Sequence, residues 1–368
     1  MRLPWTLSLY IGRQYLLAVL FTLLALLAIT GLLDAVELIR RSASKETVTF
    51  AVVMEMFFFK LPGMAEILIP FAGLIGGMVA LQRLTRTHEL IVARAAGVSV
   101  WQFMMPALIA MFLFGWIFIM AYNPVAATML ARFEQLELKH FSGRTSMLTV
   151  SPSGLWLRQL EEGNKKEKEH IIHALSISEQ GMKLSHVTIF TFDENAHFLS
   201  RIDADTATLE NGHWMVRDAL VTTPGKPAAR LPMKTLDTDL TVSQIQDSFA
   251  SPRTLSFWQL PGFIRSLEAA GFSALRHKMH WHAILSIPFL LCAMAFLAAA
   301  FSLRLPRRGR SRAMVVAGIF SGVLCCFIRD IVHALGLSGS LPVQAAAWAP
   351  TAIVMLIGGA ALLHMEDG

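Results

Sequence analysis

Charge and cysteine are both scarce in this chain. Asp, Glu, Lys and Arg make up 16% of its 368 residues, and there are three cysteines. A soluble domain carries about 25% charged residues. With 54% of the chain apolar and a mean hydropathy of +0.53, a water-soluble globule is excluded. Cys292, Cys325 and Cys326 all fall in apolar runs. The polar middle of the chain therefore has no cysteine, which excludes a disulfide framework or a thiolate zinc site there. Buried small apolar side chains are the expected role of all three.

Signatures of chemistry are also missing. A phosphate-cradling Gly-x4-Gly-Lys-Ser/Thr loop is absent, and Gly225-Lys226 is followed by Pro227. His88-Glu89 fails as a zinc-protease motif because Val92 stands where the second His is needed. Ser42-Ala43-Ser44-Lys45 matches the first motif of the serine acylases without its companions. Asp203 and Asp205 begin like a calcium loop but lack the later Gly and Glu. His277, His280 and His282 are close enough to suggest a metal, yet Arg276, Lys278 and Trp281 around them read better as a basic-aromatic collar at a membrane surface.

What is present is six apolar runs, roughly residues 14–33, 51–80, 100–122, 281–303, 312–335 and 343–363. Each matches the ~20 residues that one membrane-spanning helix needs. The first is longer than the ~7–15-residue core of a signal peptide and is expected to stay as a helix. Trp5, Tyr10 and Tyr15, mixed with Arg2 and Arg13, suit the membrane–water interface before it. Taking the N-terminus as cytoplasmic, the inner segments hold Arg2, Arg13, Arg83, Arg86, Arg94, Arg304, Arg307, Arg308, Arg310 and Arg312, against Arg40, Arg41 and Lys45 in the short outer loops. That bias fixes the expected orientation, with both termini inside. It also accounts for the net charge of +6 without nucleic acid.

Between the third and fourth runs the pattern changes to alternation. "VTIFTFDENAHFLSRI" reads as two strands around Asp193-Glu194-Asn195, and "ATLENGHWMVRDAL" as a hairpin with a type I′ turn at Asn211-Gly212. "GLWLRQL" and "HIIHALSIS" add strands separated by the charged run "EEGNKKEKEH". An all-β domain of sandwich or jelly-roll type is expected, flanked by helical connectors at 123–140 and 254–277. The chain thus divides into a membrane half at 1–122, a β-domain at 123–279 on the outer side, and a second membrane half at 280–368. The fold class is a membrane α-helical protein, six transmembrane helices as 3+3, with an inserted all-β domain.

"LQRLTRTHELIVARAAGVS", Leu81 to Ser99, is a charged and helix-prone segment where a tight turn would suffice. As one helix it puts Leu81, Leu84, His88, Ile91, Ala95 and Val98 within about 60° of one direction, and Gln82, Arg86, Glu89 and Ala93 opposite. Gly97 is its expected stop. A helix resting on lipid usually carries only cations on its polar face. Glu89, three residues after Arg86, favours docking to a protein. Gly73-x3-Gly77 is a helix-packing signature. Ionisable residues inside spans also stand out: Asp34, Glu37, Arg40 and Arg41 at the end of the first, Glu55, Lys60 and Glu66 in the second, and Arg329, Asp330 and His333 in the fifth. Lys60 lies about 140° around the helix from Glu55 and lacks a partner within its own helix.

Together these pieces resemble the lipopolysaccharide-export permeases, the LptF/LptG family, over essentially the whole chain. The resemblance rests on "YIGRQY", on "ILIPFAGLIGGMVALQRLTRTHELIVARAAGVS", on "GLWLR", on "TIFTFDENAHFLSRIDADTATLENGHWMVRDAL" and on the 3+3 layout. The Glu-Leu-x5-Ala-Gly pattern after the second span is its most specific part, and the Gly-Leu-Trp strand and Phe-Asp-Glu-Asn hairpin lean toward the G-type branch. It implies a heterodimer with an F-type permease subunit and a cytoplasmic ATPase dimer docked on a coupling helix at 82–97, through Arg83, Arg86, His88 and Glu89. It also implies a single-span LptC-like subunit, a periplasmic bridge protein, and lipopolysaccharide as substrate. No cofactor is implied for this chain, because ATP-Mg would be bound by the partner ATPase. A periplasmic jelly-roll would pass the acyl chains on. Arg40, Arg41, Lys60 and Arg329 would hold the phosphorylated head group at a lateral gate between the first span of one subunit and the fifth span of the other. Relatives of the G-type often carry a basic residue near position 34, where this chain has Asp34. The alternatives that remain are the F-type sibling, an intramembrane lipid-modifying enzyme, and a mechanotransmitting permease. An enzyme would need a convergent nucleophile or acid–base set, and none is visible.

Overall fold

The computed structural model describes residues 5–43, 48–95, 97–142, 148–151, 154–161, 168–178, 183–193, 197–210, 212–238, 251–269, 272–303 and 311–366. They belong to two compact units, Met1–His140 with Lys278–Gly368, and Phe141–His277.

The first unit is helical. Its elements are α1 (Trp5–Ser42), α2 (Phe50–Arg86), α3 (Glu89–Ala95), α4 (Val100–Ile117) and α5 (Asn123–Glu137). A π turn at Phe118–Tyr122 joins α4 to α5. In the second unit a further helix, α6 (Leu260–Ala269), follows the strands. The chain then continues as α7 (Leu275–Leu285), α8 (Ile287–Ser302), α9 (Ser311–Leu337) and α10 (Val343–Glu366). Among the described residues five stretches are long and apolar enough to cross a membrane: α1, α2, the continuous α4–α5 rod, α9 and α10. The sixth expected span is broken, with α7 and α8 meeting at a 51° bend. Pro288, at the start of α8, has no N–H to return to the carbonyl four residues back, so the ladder fails there.

Burial ranks the helices. The apolar window of α2 is 61% buried, against 11% for α1 and for α9. Glycine explains how α2 reaches so many neighbours. A Cβ at Gly76 would lie 2.6 Å from the Cα of Val19 in α1, and one at Gly115 in α4 would lie 2.6 Å from the Cα of Pro288 in α8. Those helices touch backbone to backbone, as small residues allow in membranes. The Gly73–Gly77 pair serves two neighbours: Gly73 faces Leu291 of α8, and Gly77 faces Tyr15 of α1.

The second unit is one antiparallel sheet: β1 (Leu148–Ser151), β2 (Gly154–Glu161), β3 (Lys168–Ser178), β4 (Lys183–Phe192), β5 (Phe198–Glu210), β6 (His213–Thr222) and β7 (Ala229–Asp237). Its spatial order is its chain order. The inserted β-domain is therefore present, but among the described residues it is a meander without the Greek-key crossings of a jelly-roll. Each strand pairs with the next, which leaves no step at which a strand could cross. Gly212 sits at the β5–β6 turn with φ +83°, while Asn211, Glu194 and Asn195 lie outside the described residues.

The meander is rolled, and two features show how. Flat, β2 and β6 would stand four strand spacings apart, about 19 Å. Yet the Gln159 side chain on β2 accepts from Trp214 Nε1 on β6 at 3.2 Å. It also accepts from Thr238 Oγ1 at 3.0 Å, just past β7, and donates to Asp237 O, at the end of β7, at 3.3 Å. Following the register from Gln159 through His170, Thr191 and Ser200 leads to the Thr222 end of β6, whereas Trp214 is at its other end. The closure is staggered along the strands, as in a barrel. The second feature is a crease. The ladder is interrupted on a line through Leu175, His186, Asp205, Asp218 and Pro232, by one rung in three of the pairings and by two between β5 and β6. His186 and Asp218 on that line have φ +52°. All five are exposed, so the sheet bends away from them. Inside the roll Leu157, Ile172, Leu184, Ile189, Ile202 and Val216 are buried. Phe190 and Phe192 take the other face of β4 by the two-residue period.

Two glycine replacements separate contact from openness. Gly76→Ala is expected to lower stability by about 1–3 kcal/mol, because α1 must shift by backbone displacement. Gly262→Ala in α6 meets nothing within 4 Å and is expected to be neutral or stabilising by about 0.5–1 kcal/mol. Thermal unfolding of the full chain in detergent checks both.

Candidate functional site

The first candidate region is the α2–α3 junction. The helix expected over Leu81–Ser99 is broken in two. Thr87 N–H bonds to Arg83 O at 3.0 Å and His88 N–H to Thr85 O at 3.2 Å, which closes α2. His88 then takes φ +61°, a left-handed conformation that His adopts more readily than most residues. The chain restarts at Glu89 and stops again at Gly97, φ +81°. Ser99 and Gln102 bond reciprocally, each side chain to the other's N–H at 3.2 Å, and this capping box launches α4.

The break rearranges the expected faces. Arg83, Arg86 and His88 are all exposed, although the helical wheel put His88 on the apolar side. Leu81, Leu84 and Leu90 are buried. The side chains of Ile91 and Arg94 lie outside the described residues. Among the described residues Arg86 and Glu89 do not pair. Glu89 Oε1 instead accepts from Thr87 Oγ1 at 2.9 Å and from Tyr10 OH, on α1, at 3.4 Å. Three exposed cationic or imidazole groups around one half-buried carboxylate make a projecting polar knob, suited to a complementary surface.

The second region is at the other end of α1. Lys60 on α2, unmatched within its own helix, meets Asp34 of α1 at 2.6 Å. Its ammonium also sits 5.2 Å from the centre of the Phe133 ring on α5. One helical turn beyond Asp34, Glu37 accepts from Arg40 and Arg41, each through Nε at 2.9 Å. Arg41 reaches a second carboxylate, Glu137, at 3.8 Å. Arg40 and Arg41 are exposed, whereas Asp34 and Lys60 are partly buried. Three of the four expected head-group cations thus gather at one end of α1, each already held by a carboxylate.

Arg329 is on α9. Its nearest charge partner is Asp330, at 3.4 Å. It lines a small cavity with Pro70, Met294, Cys325, Cys326 and Pro350, so it belongs to the α2–α8–α10 packing rather than to the α1 cluster. At the histidine-rich start of α7, Trp281 and His282 stack edge to face at 4.9 Å. Among the described residues no group of three or more His, Cys, Asp or Glu could hold a metal ion.

Asp34, Phe133, Glu137 and Tyr10 were not singled out from the sequence as site residues. The Asp34–Lys60 pair had a signal: two opposite charges at similar distances from the loop that joins consecutive antiparallel spans. Asp34→Ala is expected to destabilise the full chain by about 1–3 kcal/mol, leaving a partly buried ammonium unmatched. The swap Asp34→Lys/Lys60→Asp should recover most of that loss. Thermal midpoints of the three proteins decide it, and a swap no better than the single change would remove the pair as a structural element.

The family described as lipopolysaccharide export system permease LptF/LptG matches residues 9–364. The lipopolysaccharide export system permease protein LptG of Haemophilus influenzae is 24% identical over 370 residues, covering 96% of each chain. LptG of Escherichia coli K12 is also 24% identical, over 362 residues and 95% of each chain.

Proposed function

Because the chain belongs to the lipopolysaccharide export system permease family LptF/LptG, we propose that it is the G-type transmembrane subunit of an ABC-type exporter. In this reading it pairs with an F-type subunit and draws lipopolysaccharide sideways from the outer leaflet of the inner membrane. It then hands the lipid to a periplasmic bridge protein, with a single-span LptC-like subunit in the same assembly. ATP-Mg is bound and hydrolysed by a cytoplasmic ATPase dimer, and no catalysis is assigned to this chain. The α2–α3 junction faces the cytoplasm and the β-domain the periplasm, as the Arg distribution of the loops supports.

One observation carries the reading. α1 is a single unbroken helix of 38 residues, about 57 Å long at 1.5 Å per residue. Tyr10 near its start touches Glu89, and Asp34 near its end holds Lys60. The knob that suits an ATPase and the cations that suit phosphates are thus joined by one rigid element, which is also one of the two least buried spans. Glu89, Arg83, Arg86 and His88 are the docking residues. Arg40, Arg41, Lys60 and Arg329 are the head-group residues, Arg329 from the facing wall of the gate. Each cation keeps a carboxylate partner while the site is empty, so an arriving phosphate exchanges one anion for another without uncovering a bare charge.

Two variants test the two ends. Glu89→Lys should leave the protein inserted but lose the ATPase on purification, since an interfacial attraction becomes a repulsion of several kcal/mol. Normal recruitment and normal export would remove the docking assignment. Arg40→Glu/Arg41→Glu should weaken lipopolysaccharide binding by roughly tenfold or more while basal ATPase activity in detergent persists. Unchanged binding would reduce both arginines to topology determinants.

A further inference from the structure

The α4–α5 rod stores one residue more than an unbroken α-helix would hold between the same two ends. In the turn Phe118–Tyr122 the N–H of Asn123 reaches back five residues to Phe118 O, where an α-helix reaches back four. Such π turns are rare and frequently lie at functional sites. Two contacts hold this one. The Tyr122 hydroxyl donates to Pro62 O on α2 at 3.1 Å, and the Tyr122 ring stacks on Phe118 with centres 4.7 Å apart. Upstream, α4 is fixed, because Gly115 lies backbone to backbone against Pro288 of α8. Downstream, α5 ends in a second π turn, Leu138–Ser142, so turns wider than its own bound it on both sides. Opposite Leu130 of α5 stands Gly63 of α2, which has no side chain for α5 to catch on.

A stored residue can be released. If the turn reverts to α while α4 stays fixed, α5 rotates by about 100° and advances about 1.5 Å along its axis. Each residue of α5 then yields its place to the residue before it. Ala126 enters the place of Ala127, an even exchange, and Val125 enters that of Ala126, a tighter fit. That tightness, together with loss of the Tyr122–Pro62 bond, keeps the π form the resting one. Two exchanges further along change the chemistry. Phe133, whose ring centre is 5.2 Å from the Lys60 ammonium, gives way to Arg132, which is exposed at rest. Glu137, 3.8 Å from Arg41, gives way to Leu136.

We propose that the Phe118–Tyr122 turn is a register switch worked by a phosphorylated lipid, with Tyr122 as its catch. At rest a ring and a carboxylate lie against Lys60 and Arg41. In the shifted register both are withdrawn and Arg132 joins the two cations. A pair of phosphates binds the shifted form better than the resting one, and only such a difference in affinity moves an equilibrium. When the phosphates leave, three crowded cations favour the return of Phe133 and Glu137. That the lipid is lipopolysaccharide rests on the transport reading, whereas the change of register does not.

The experiment uses the full-length chain in its native complex in detergent, with Cys292, Cys325 and Cys326 changed to Ala. A short bis-methanethiosulfonate links introduced thiols, and the linked peptides are counted by mass spectrometry. Gly63→Cys/Leu130→Cys reports the resting register, since a Cβ at Gly63 would lie 3.5 Å from the Leu130 side chain. Gly63→Cys/Met129→Cys reports the shifted one. Rough-type lipopolysaccharide should raise the second link several-fold and lower the first, and the same lipid stripped of its phosphates should change neither. Tyr122→Phe should raise the second link without any lipid. Removal of Ala121 takes out the stored residue and leaves Leu130 opposite Gly63. The first link should then persist, which shows that the chain is folded, and the second should stay low with or without lipid. A second link that neither Tyr122→Phe nor the deletion alters overturns the switch. An equal rise with the dephosphorylated lipid overturns the phosphates as its driver. If Tyr122→Phe raises the link and lipopolysaccharide does not, the switch stands and the transport reading fails at this cluster.

Discussion

A charge set among apolar helices has to find its counter-charge on another helix, because lipid offers neither water nor a second ion. The Lys60–Asp34 contact is that constraint made local. It ties the far end of α1, one of the two least buried of the five apolar stretches, to α2, the most buried of them. The rest of the α1 end is arranged around it, with Glu37 one turn on and Arg40, Arg41 and Glu137 in succession. A sparsely buried helix whose end is held by ions is firm against lipid and, on the proposed reading, open to exchange with an anionic visitor. Hydrophobic burial alone could not give both properties, since apolar contact does not distinguish one hydrocarbon neighbour from another.

The two units solve the problem of holding a shape in different ways. In the helical unit, shape comes from backbone approach: Gly76 against Val19, Gly115 against Pro288, and the bend where Pro288 breaks the α7–α8 ladder. In the sheet it comes from deliberate irregularity. Non-glycine residues in the left-handed region are strained by about 1–2 kcal/mol each, and His186 and Asp218 hold that strain on one line of the sheet. Apolar burial inside the roll offsets it. A flat meander would have had relaxed backbones and no interior.

Much of this was legible in the sequence. Run length and the shift to alternation marked the spans and the β-domain, because both are period signals that survive without knowledge of neighbours. Lys60 stood out as unmatched because a helix wheel is a local object. What escaped was whatever depends on two distant segments. Asp34 could not be assigned to Lys60 without knowing how α1 packs on α2. The break at Thr87-His88 was hidden because the apolar spacing of the sequence alone fits one continuous helix. The roll was invisible because the alternation of β2 and β6 is the same whether they are far apart or facing. The jelly-roll expectation came from strand content, which constrains the number of strands but not their connectivity.

The long-range contacts of Gln159 also give the sheet a history. Every strand pairs with its neighbour in the chain, so each hairpin closes a short loop at small entropic cost. Gln159 and Thr238 are 79 positions apart, and Gln159 and Trp214 are 55 apart. The ribbon therefore forms from local contacts, and the roll waits for the most distant ones. A chain interrupted anywhere short of Thr238 has the strands to make most of the ribbon but not the partner to close it. It would present a row of Ile, Leu and Val side chains to water, the kind of surface by which an unfinished protein is recognised and removed.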